Sequence, residues 1–204
     1  HVDPVFVEGP ETLDAALQVR LEALCDEGWD LWSAFDAEVR QDNWHPFVAA
    51  DYHVVQEALI KLRAPGLRFL ELGSATGVIT IMADLLGYEA CGIELDADLV
   101  RIARDLATRS GSAARFVAGS FLPSGFVMRA GEDPRLGTIG EAASAYPALG
   151  RTLDDFDVVF GFPWDGEEST MLELMRVWGS AESRLLLNSV ARGVEVYRGG
   201  KLLT

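Results

Sequence analysis

The chain has 204 residues, of which 49% are hydrophobic and 24% charged, and this composition suits one globular domain with little room for a second. Its formal net charge of −15 would repel a polyphosphate backbone, so we expect no nucleic-acid partner. No stretch is apolar for long enough to span a bilayer, and the first residues lack the features of a signal peptide. We therefore expect a cytoplasmic protein without a membrane partner.

The first 65 residues predict a helical N-terminal cap. Apolar residues recur every three or four positions over residues 11–26 and again over residues 51–63, which predicts two amphipathic helices. The stretch between them carries too many rings for a solvated linker, which favours packing against the domain or closure over a pocket. This stretch contains Trp29, Trp32, Phe35, Trp44, His45, Pro46 and Phe47.

Residues 66–204 predict a core in which short apolar runs alternate with helical segments. That alternation is typical of α/β proteins with a Rossmann-like, doubly wound, mostly parallel sheet and flanking helices. The predicted strands are 67–72, 88–94, 114–118, 156–162 and 184–189, and the predicted helices are 76–86, 96–110 and 166–178. A glycine pair predicts a hairpin between residues 194–197 and 201–203. The glycine-rich insertion 123–153 is expected to be mostly loop, with one helix around 139–149.

The two cysteines predict no disulfide. Cys25 and Cys91 lie in apolar surroundings, far apart in the sequence, which favours two buried free thiols. We find no residue spacing that indicates a metal site.

The strongest functional signal is the turn after the first core strand, Glu71-Leu72-Gly73-Ser74-Ala75-Thr76-Gly77. Glycines there let the backbone approach a ligand at the carboxyl edge of the sheet. The dinucleotide fingerprint Gly-x-Gly-x-x-Gly is not met, because Ala75 and Val78 occupy its second and third glycine positions. The segment instead resembles the first motif of class I S-adenosylmethionine-dependent methyltransferases. The resemblance implies that Glu71 helps to hold the methionine amino group, within a cofactor loop that comprises Glu71, Gly73, Ser74, Thr76 and Gly77.

The ends of the next two strands extend this resemblance. Glu94 closes the second strand, where two acceptor oxygens could hold a ribose diol, and Asp96 is suited to capping the following helix. In the methyltransferase family the acid at this strand end binds the ribose, and the residue after it, here Leu95, lies on the adenine. Ser120 and Phe121 follow the third strand where the family has residues near the adenine ring.

The end of the fourth strand is the predicted place of the methyl acceptor. Phe162-Pro163-Trp164 distantly resembles the Asn-Pro-Pro-Tyr motif of amino-methyltransferases, with Gly161 in place of the asparagine. We assign Gly161 to cofactor binding and Trp164 and Asp165 to catalysis. The predicted acceptor-binding residues are Phe162, Pro163, Trp164 and His45.

The sequence therefore predicts an S-adenosylmethionine-dependent methyltransferase that acts on a small-molecule or protein acceptor, with nitrogen as a candidate acceptor atom. Two alternatives stay open at this point. One is a nucleotide-dependent oxidoreductase on a related sheet, and the other is a non-catalytic protein that keeps the cofactor pocket as a scaffold. The sequence does not indicate an oligomeric state.

Overall fold

The computed structural model describes residues 13–39, 50–127, 142–164 and 166–203. Its helices are α1 (Ala15–Val39), α2 (Tyr52–Leu62), α3 (Val78–Leu85), α4 (Ala97–Arg109), α5 (Tyr146–Leu149) and α6 (Glu167–Trp178). Its strands are β1 (Arg68–Leu72), β2 (Glu89–Glu94), β3 (Arg115–Ala118), β4 (Val158–Gly161), β5 (Arg184–Ser189), β6 (Gly193–Arg198) and β7 (Lys201–Leu202). None of the helices in these ranges combines the length and the apolarity needed to cross a membrane.

The seven strands of the described chain form one sheet in the order β3-β2-β1-β4-β5-β6-β7. Strands β1 to β5 are parallel, whereas β6 runs antiparallel to β5 and β7 antiparallel to β6. Leu72 lies level with Ile93 on one side and with Gly161 on the other. The strand order reverses on either side of β1, and such a switch point opens a crevice at the carboxyl edge. The predicted doubly wound architecture is confirmed.

Two apolar cores cover the two faces of the sheet, because side chains along each strand alternate between the faces. On β1, Phe69 packs in the core that includes buried residues of α1 to α4. Leu70 and Leu72 pack in the opposite core, with Leu149 of α5 and Met171 of α6. Each parallel strand is therefore buried on both sides, as the continuous apolar runs predicted.

The predicted strands and core helices agree with the structure to within about two residues at each end. The predicted strand at 184–189 has the same bounds as β5. Asp96 caps α4 as predicted, since one of its carboxylate oxygens accepts hydrogen bonds from the amides of Asp98 and Leu99. The hairpin is also present, with Gly199 and Gly200 at positive φ between β6 and β7. Both cysteines are buried free thiols, as expected.

The prediction that the first helix ends near residue 26 is wrong. α1 continues to Val39 and carries Trp29, Trp32 and Phe35, which the sequence placed in the connecting stretch. The helix passes through Gly28 because α1 lies close to α3 there: a Cβ atom on Gly28 would be 2.6 Å from Cγ2 of Val78. The remaining predicted cap residues, Trp44, His45, Pro46 and Phe47, lie outside the described residues.

The helix predicted around 139–149 is shorter in the structure. α5 begins only at Tyr146, and residues 128–141 lie outside the described part of the chain. The residues just before α5 pair with the end of β3 instead of forming a helix. The amide of Ser120 donates to the carbonyl of Ala143, and the amide of Ala145 donates to the carbonyl of Ser120.

We predict that Gly28→Leu lowers the free energy of unfolding, although leucine favours a helix more than glycine does. The added side chain would have to displace Val78 or Tyr52, whose ring would lie 3.2 Å from the new Cβ atom, and such overpacking costs about 1–3 kcal/mol. Urea unfolding measures the change. Ala34→Leu on the exposed side of the same helix is the matched control and should leave stability nearly unchanged. Equal stability of the two variants would contradict the close α1–α3 packing.

Candidate functional site

The turn between β1 and α3 is fixed to the end of β2 by backbone hydrogen bonds. The amides of Gly73 and Ser74 both donate to the carbonyl of Ile93, each at 2.9 Å. Within the turn, the amide of Gly77 donates to the carbonyl of Ser74 at 2.8 Å. Gly73 and Gly77 have φ values of 81° and 87°, which glycine adopts without steric cost. The turn therefore presents its backbone at the carboxyl edge in a defined conformation.

Ala75 is the position where this turn departs from the glycines of the family motif. Among the described residues it is the non-glycine residue with positive φ, at 47°. The left-handed region costs an alanine roughly 1–2 kcal/mol, so neighbouring contacts must hold it there. Its amide donates to Oε1 of Glu94 at 3.0 Å, which supplies such a contact.

Glu94 links the turn to the start of α4. Its Oε1 accepts from the amide of Ala75, and its Oε2 accepts from the amide of Asp96 at 2.9 Å. Burial raises the pKa of Glu94 above its ordinary value, and the hydrogen bonds from the Asp96 and Ala75 amides oppose that rise. The Leu95 amide also contributes a hydrogen bond, and since a carboxylate has about four acceptor positions, Glu94 can still receive a hydrogen bond from a ligand.

Glu71 is buried at the end of β1, with 4% of its surface exposed. Its Oε1 accepts two hydrogen bonds from Thr80 of α3, from the amide at 3.1 Å and from the hydroxyl at 2.7 Å. Burial raises the pKa of Glu71 to about 8, the two Thr80 bonds lower it, and the charge of Glu94 adds to the rise. A buried carboxyl whose charge is stabilised by so few hydrogen bonds and by no cation among the described residues is typical of a site that binds a cationic ligand.

A small cavity lies between Glu71, the turn and α2. Its volume is about 40 Å³, room for on the order of one to three water molecules, so it can enclose only a small polar group. The lining residues are Ala50, Tyr52, Glu71, Gly73, Ser74, Ala75, Thr76, Val78, Ile79, Phe160 and Phe162. The predicted loop residues Glu71, Gly73, Ser74 and Thr76 are thus brought together. Gly77 lies behind the turn, where a Cβ would be 2.7 Å from Phe116.

Sequence reasoning missed Thr80 and Tyr52. Thr80 is fully buried on α3, whose other side chains are apolar except for Asp84 near its end. A lone hydroxyl on such a helix, nine residues after the strand-end acid, was the available signal. Tyr52 is buried at the start of α2 and its ring lies 5.1 Å from that of Trp29. No sequence pattern links it to a turn about twenty residues later.

Ser120 and Phe121 follow β3 and are both buried. The hydroxyl oxygen of Ser120 accepts from the amide of Leu122 at 3.1 Å, which leaves its proton free to donate. Phe121 is 1% exposed and packs in the core on the α5–α6 face. Leu95 is half-buried directly after Glu94.

The end of β4 brings part of the predicted acceptor site to the same edge. Phe162 lines the small cavity, while Pro163 and Trp164 are half-buried and the carbonyl of Trp164 accepts from the amide of Glu167 at the start of α6. Gly161 faces α6, where a Cβ would be 2.6 Å from the sulfur of Met171. Asp165 and His45 lie outside the described residues.

A larger cavity, of about 720 Å³, lies away from these strand ends. It is formed by the loop after β3, α5, the turn before β4 and the end of α6, and it includes Trp178. The hydroxyls of Ser144 and Tyr146 have no hydrogen-bond partner among the described residues, but both atoms are sealed from solvent. We take the smaller cavity as the candidate functional site, because Glu71 and the glycine turn line it at the carboxyl edge of the sheet.

Comparisons with known proteins agree with this picture of the fold. No protein family model matches the chain. A segment of 64 residues, 31% of this chain, is 38% identical to the ribosomal protein L11 methyltransferase of Thermus thermophilus. The match covers 25% of that protein, so the similarity spans only about a quarter of the length of this curated relative.

Two solved structures illustrate the likeness in fold. A Klebsiella pneumoniae protein, provisionally assigned as an O-methyltransferase, aligns at 17% identity with a TM-score of 0.50, over 93% of this chain and 72% of that one. An RNA methyltransferase of Salinibacter ruber, in complex with S-adenosylhomocysteine, aligns at 19% identity with a TM-score of 0.49, over 69% of this chain and 76% of that one. The predicted resemblance to class I methyltransferases is confirmed for the Rossmann-like fold.

Nothing in these comparisons bears out the expectation that nucleic acid is excluded as a partner. Net charge sums the whole surface and does not report the field at one binding face. The kind of acceptor is therefore open.

We predict that Glu71→Gln changes the pH dependence of stability. Glu71 binds its proton more tightly in the folded state, so the stability from that proton is complete below the ordinary glutamate pKa and is lost as the pH rises through about 8. Glutamine has no proton to lose. In urea unfolding without ligand, the free energy of unfolding of the variant relative to that of the wild type should increase by on the order of 1 kcal/mol per pH unit between about pH 5 and about pH 8.

Glu57→Gln, at an exposed position of α2, is the matched control and should show no such trend. If the difference in free energy of unfolding between Glu71→Gln and the wild type stays constant with pH, burial does not raise the pKa of Glu71.

Proposed function

We propose that this chain, which has the Rossmann-like fold of class I methyltransferases, is an S-adenosylmethionine-dependent methyltransferase. The observation that carries the proposal is the convergence of two strand-end carboxylates, the buried Glu71 and the half-buried Glu94, on one glycine turn at the switch point of the sheet. The fold alone would support several nucleotide-binding functions. Glu71 before the glycines, together with Ala75 and Val78 in place of the second and third glycines, distinguishes this turn from a dinucleotide loop, whereas an acid such as Glu94 occurs in both kinds of site.

The residues fit the two ends of the cofactor. The small cavity has room for an amino group, and Glu71 offers it a carboxylate oxygen. The remaining acceptor position of Glu94 suits a ribose hydroxyl, and the proton of Ser120 suits a ring nitrogen of the adenine, with Leu95 against the ring. In this arrangement Phe121 acts by packing behind Ser120, and Gly161 by letting α6 approach the sheet.

The cofactor would supply an electrophilic methyl group, and the protein has to align an acceptor atom with it. We propose that the acceptor lies against Phe162, Pro163 and Trp164, with His45 and Asp165 contributing from outside the described residues. A nitrogen acceptor, on a small molecule or a protein, fits this chain because aromatic rings and a net charge of −15 attract cationic amines. The curated relative is named for methylating a ribosomal protein, which supports the protein option.

Loss of the proton from such an amine requires an acceptor group nearby. We assign that role to Asp165, which directly follows Trp164 at the end of β4. The cytoplasmic location stays a prediction of the sequence.

We predict that S-adenosylhomocysteine binds the wild type in calorimetry and that Gly73→Arg abolishes this binding, because the new side chain fills the space of the cofactor. Gly87→Arg is the matched control: it has a similar positive φ of 102°, but it is exposed and a Cβ atom added there would have no atom within 4 Å. Both variants carry similar backbone strain, so only the first should lose the ligand. Binding of a nicotinamide dinucleotide in place of S-adenosylhomocysteine would overturn the proposal.

We predict that Trp164→Ala raises the KM for the methyl acceptor about five- to tenfold, since loss of a stacked ring costs roughly 1–1.5 kcal/mol, and leaves cofactor affinity intact. Transfer of a labelled methyl group to the small-molecule, protein and RNA fractions of a cell extract first identifies the acceptor class. Trp178→Ala, at the far end of α6, is the control with a similar half-exposed ring. An unchanged KM in Trp164→Ala would remove Trp164 from the acceptor site.

A further inference from the structure

Thr80 holds Glu71 in one orientation. Its amide and its hydroxyl donate to the same oxygen, Oε1, at 3.1 Å and 2.7 Å. Thr80 has no exposed surface, and it lies on a helix that packs against β1 and β2. A threonine side chain is restricted at χ1, so two bonds from one buried residue fix the carboxyl plane of Glu71.

The other oxygen of Glu71, Oε2, accepts no hydrogen bond from the described residues. The cavity that Glu71 lines has a volume of about 40 Å³ and is otherwise bordered by Tyr52, the turn and apolar side chains. Glu71 is only 4% exposed, so this oxygen has little water to bond with, whereas an ammonium group would fill the space and supply a donor.

We propose that Thr80 is a positioning residue that aims Oε2 of Glu71 at the amino group of the cofactor, and that the cofactor binds to the deprotonated form of this carboxyl. The inference rests on the proposed function. It adds that cofactor affinity is controlled by the proton on Glu71 and that the Thr80 hydroxyl determines where on the pH scale this control acts.

The surroundings of Glu71 support a proton-linked site. Burial raises its pKa to about 8 and the Thr80 bonds lower it. The other groups that face it are Glu94 on β2, whose charge disfavours a second carboxylate, and the Tyr52 phenol on α2. Burial, with the Glu71 charge second, raises the pKa of Tyr52. No cationic side chain among the described residues balances the negative charge of Glu71, so the charge has to be balanced by the ligand.

The test is isothermal calorimetry of the full chain with two ligands between about pH 5.5 and about pH 8. S-adenosylhomocysteine carries the amino group, and 5′-methylthioadenosine has the same nucleoside and thioether without it. Affinity for S-adenosylhomocysteine should rise with pH, by up to roughly tenfold per unit below the pKa of Glu71, with release of a proton. Affinity for 5′-methylthioadenosine should not depend on pH.

Two Thr80 variants separate positioning from packing. Thr80→Val removes the hydroxyl bond, so the pKa of Glu71 rises, the pH curve moves upward, and affinity for S-adenosylhomocysteine near pH 7 falls roughly tenfold. Thr80→Ser keeps the hydroxyl and should restore the wild-type curve. Thr108→Val, on the exposed side of α4, is the matched control and should bind as the wild type does. Binding of 5′-methylthioadenosine to Thr80→Val shows that the variant is folded.

The outcomes separate this inference from the function on which it rests. If the wild type binds neither ligand, the proposed cofactor is wrong and the inference falls with it. If the wild type binds S-adenosylhomocysteine with the same affinity at every pH, the proton linkage alone is wrong. If Thr80→Val and Thr80→Ser give the same pH curve, the hydroxyl does not position Glu71.

Discussion

The hydrogen bonds that attach the β1–α3 turn to the end of β2 are the constraint on which the rest of the site depends. The carbonyl of Ile93 holds the start of the turn, and Glu94 holds its middle through the amide of Ala75. The same glutamate reaches the start of α4, and its carbonyl accepts from Gly119 after β3. The loops after β1, β2 and β3 are thus joined through one residue, and a ligand at this edge meets a preorganised surface.

Burial of Glu71 at this edge destabilises the ligand-free protein and favours the binding of a cationic group. Its carboxyl is taken from water on folding, and Thr80 alone among the described residues returns hydrogen bonds to it. An apolar residue there would suit the core better, since an incompletely paired buried carboxylate destabilises the fold. A buried carboxyl with one unpaired oxygen breaks the rules of a stable core, as functional residues often do, and a bound ligand could supply the missing hydrogen bond. The same burial that weakens the empty protein strengthens an ion pair formed inside it.

The sequence predicted the sheet well because burial on both faces leaves a continuous apolar run that sequence alone reveals, as in β5. It failed for α1, because the aromatic-rich residues after position 26 were interpreted as a separate stretch, and the contact between Gly28 and Val78 that lets the helix continue past α3 is tertiary. The resemblance to the family motif singled out Glu71 and Glu94 as candidates, yet nothing in the sequence pointed to Thr80 or Tyr52. Those two contribute through tertiary contacts from other elements, and no local pattern encodes such a contact.

The proposed cofactor residues and the proposed acceptor residues follow different strands of the carboxyl edge. This difference explains why the cofactor residues are easier to recognise from the sequence. The proposed cofactor residues follow consecutive parallel strands, so register fixes their relative positions. The proposed acceptor residues follow β4, on the other side of the switch point, where Pro163 and the left-handed Gly166 direct the chain into α6. Side chains there are positioned by a turn and not by strand pairing. Their identity can therefore differ between proteins with different acceptors while the sheet stays the same. Acceptor specificity should therefore follow substitutions at residues 163–166, and cofactor affinity should be insensitive to them, whereas Phe162 also lines the small cavity beside Glu71.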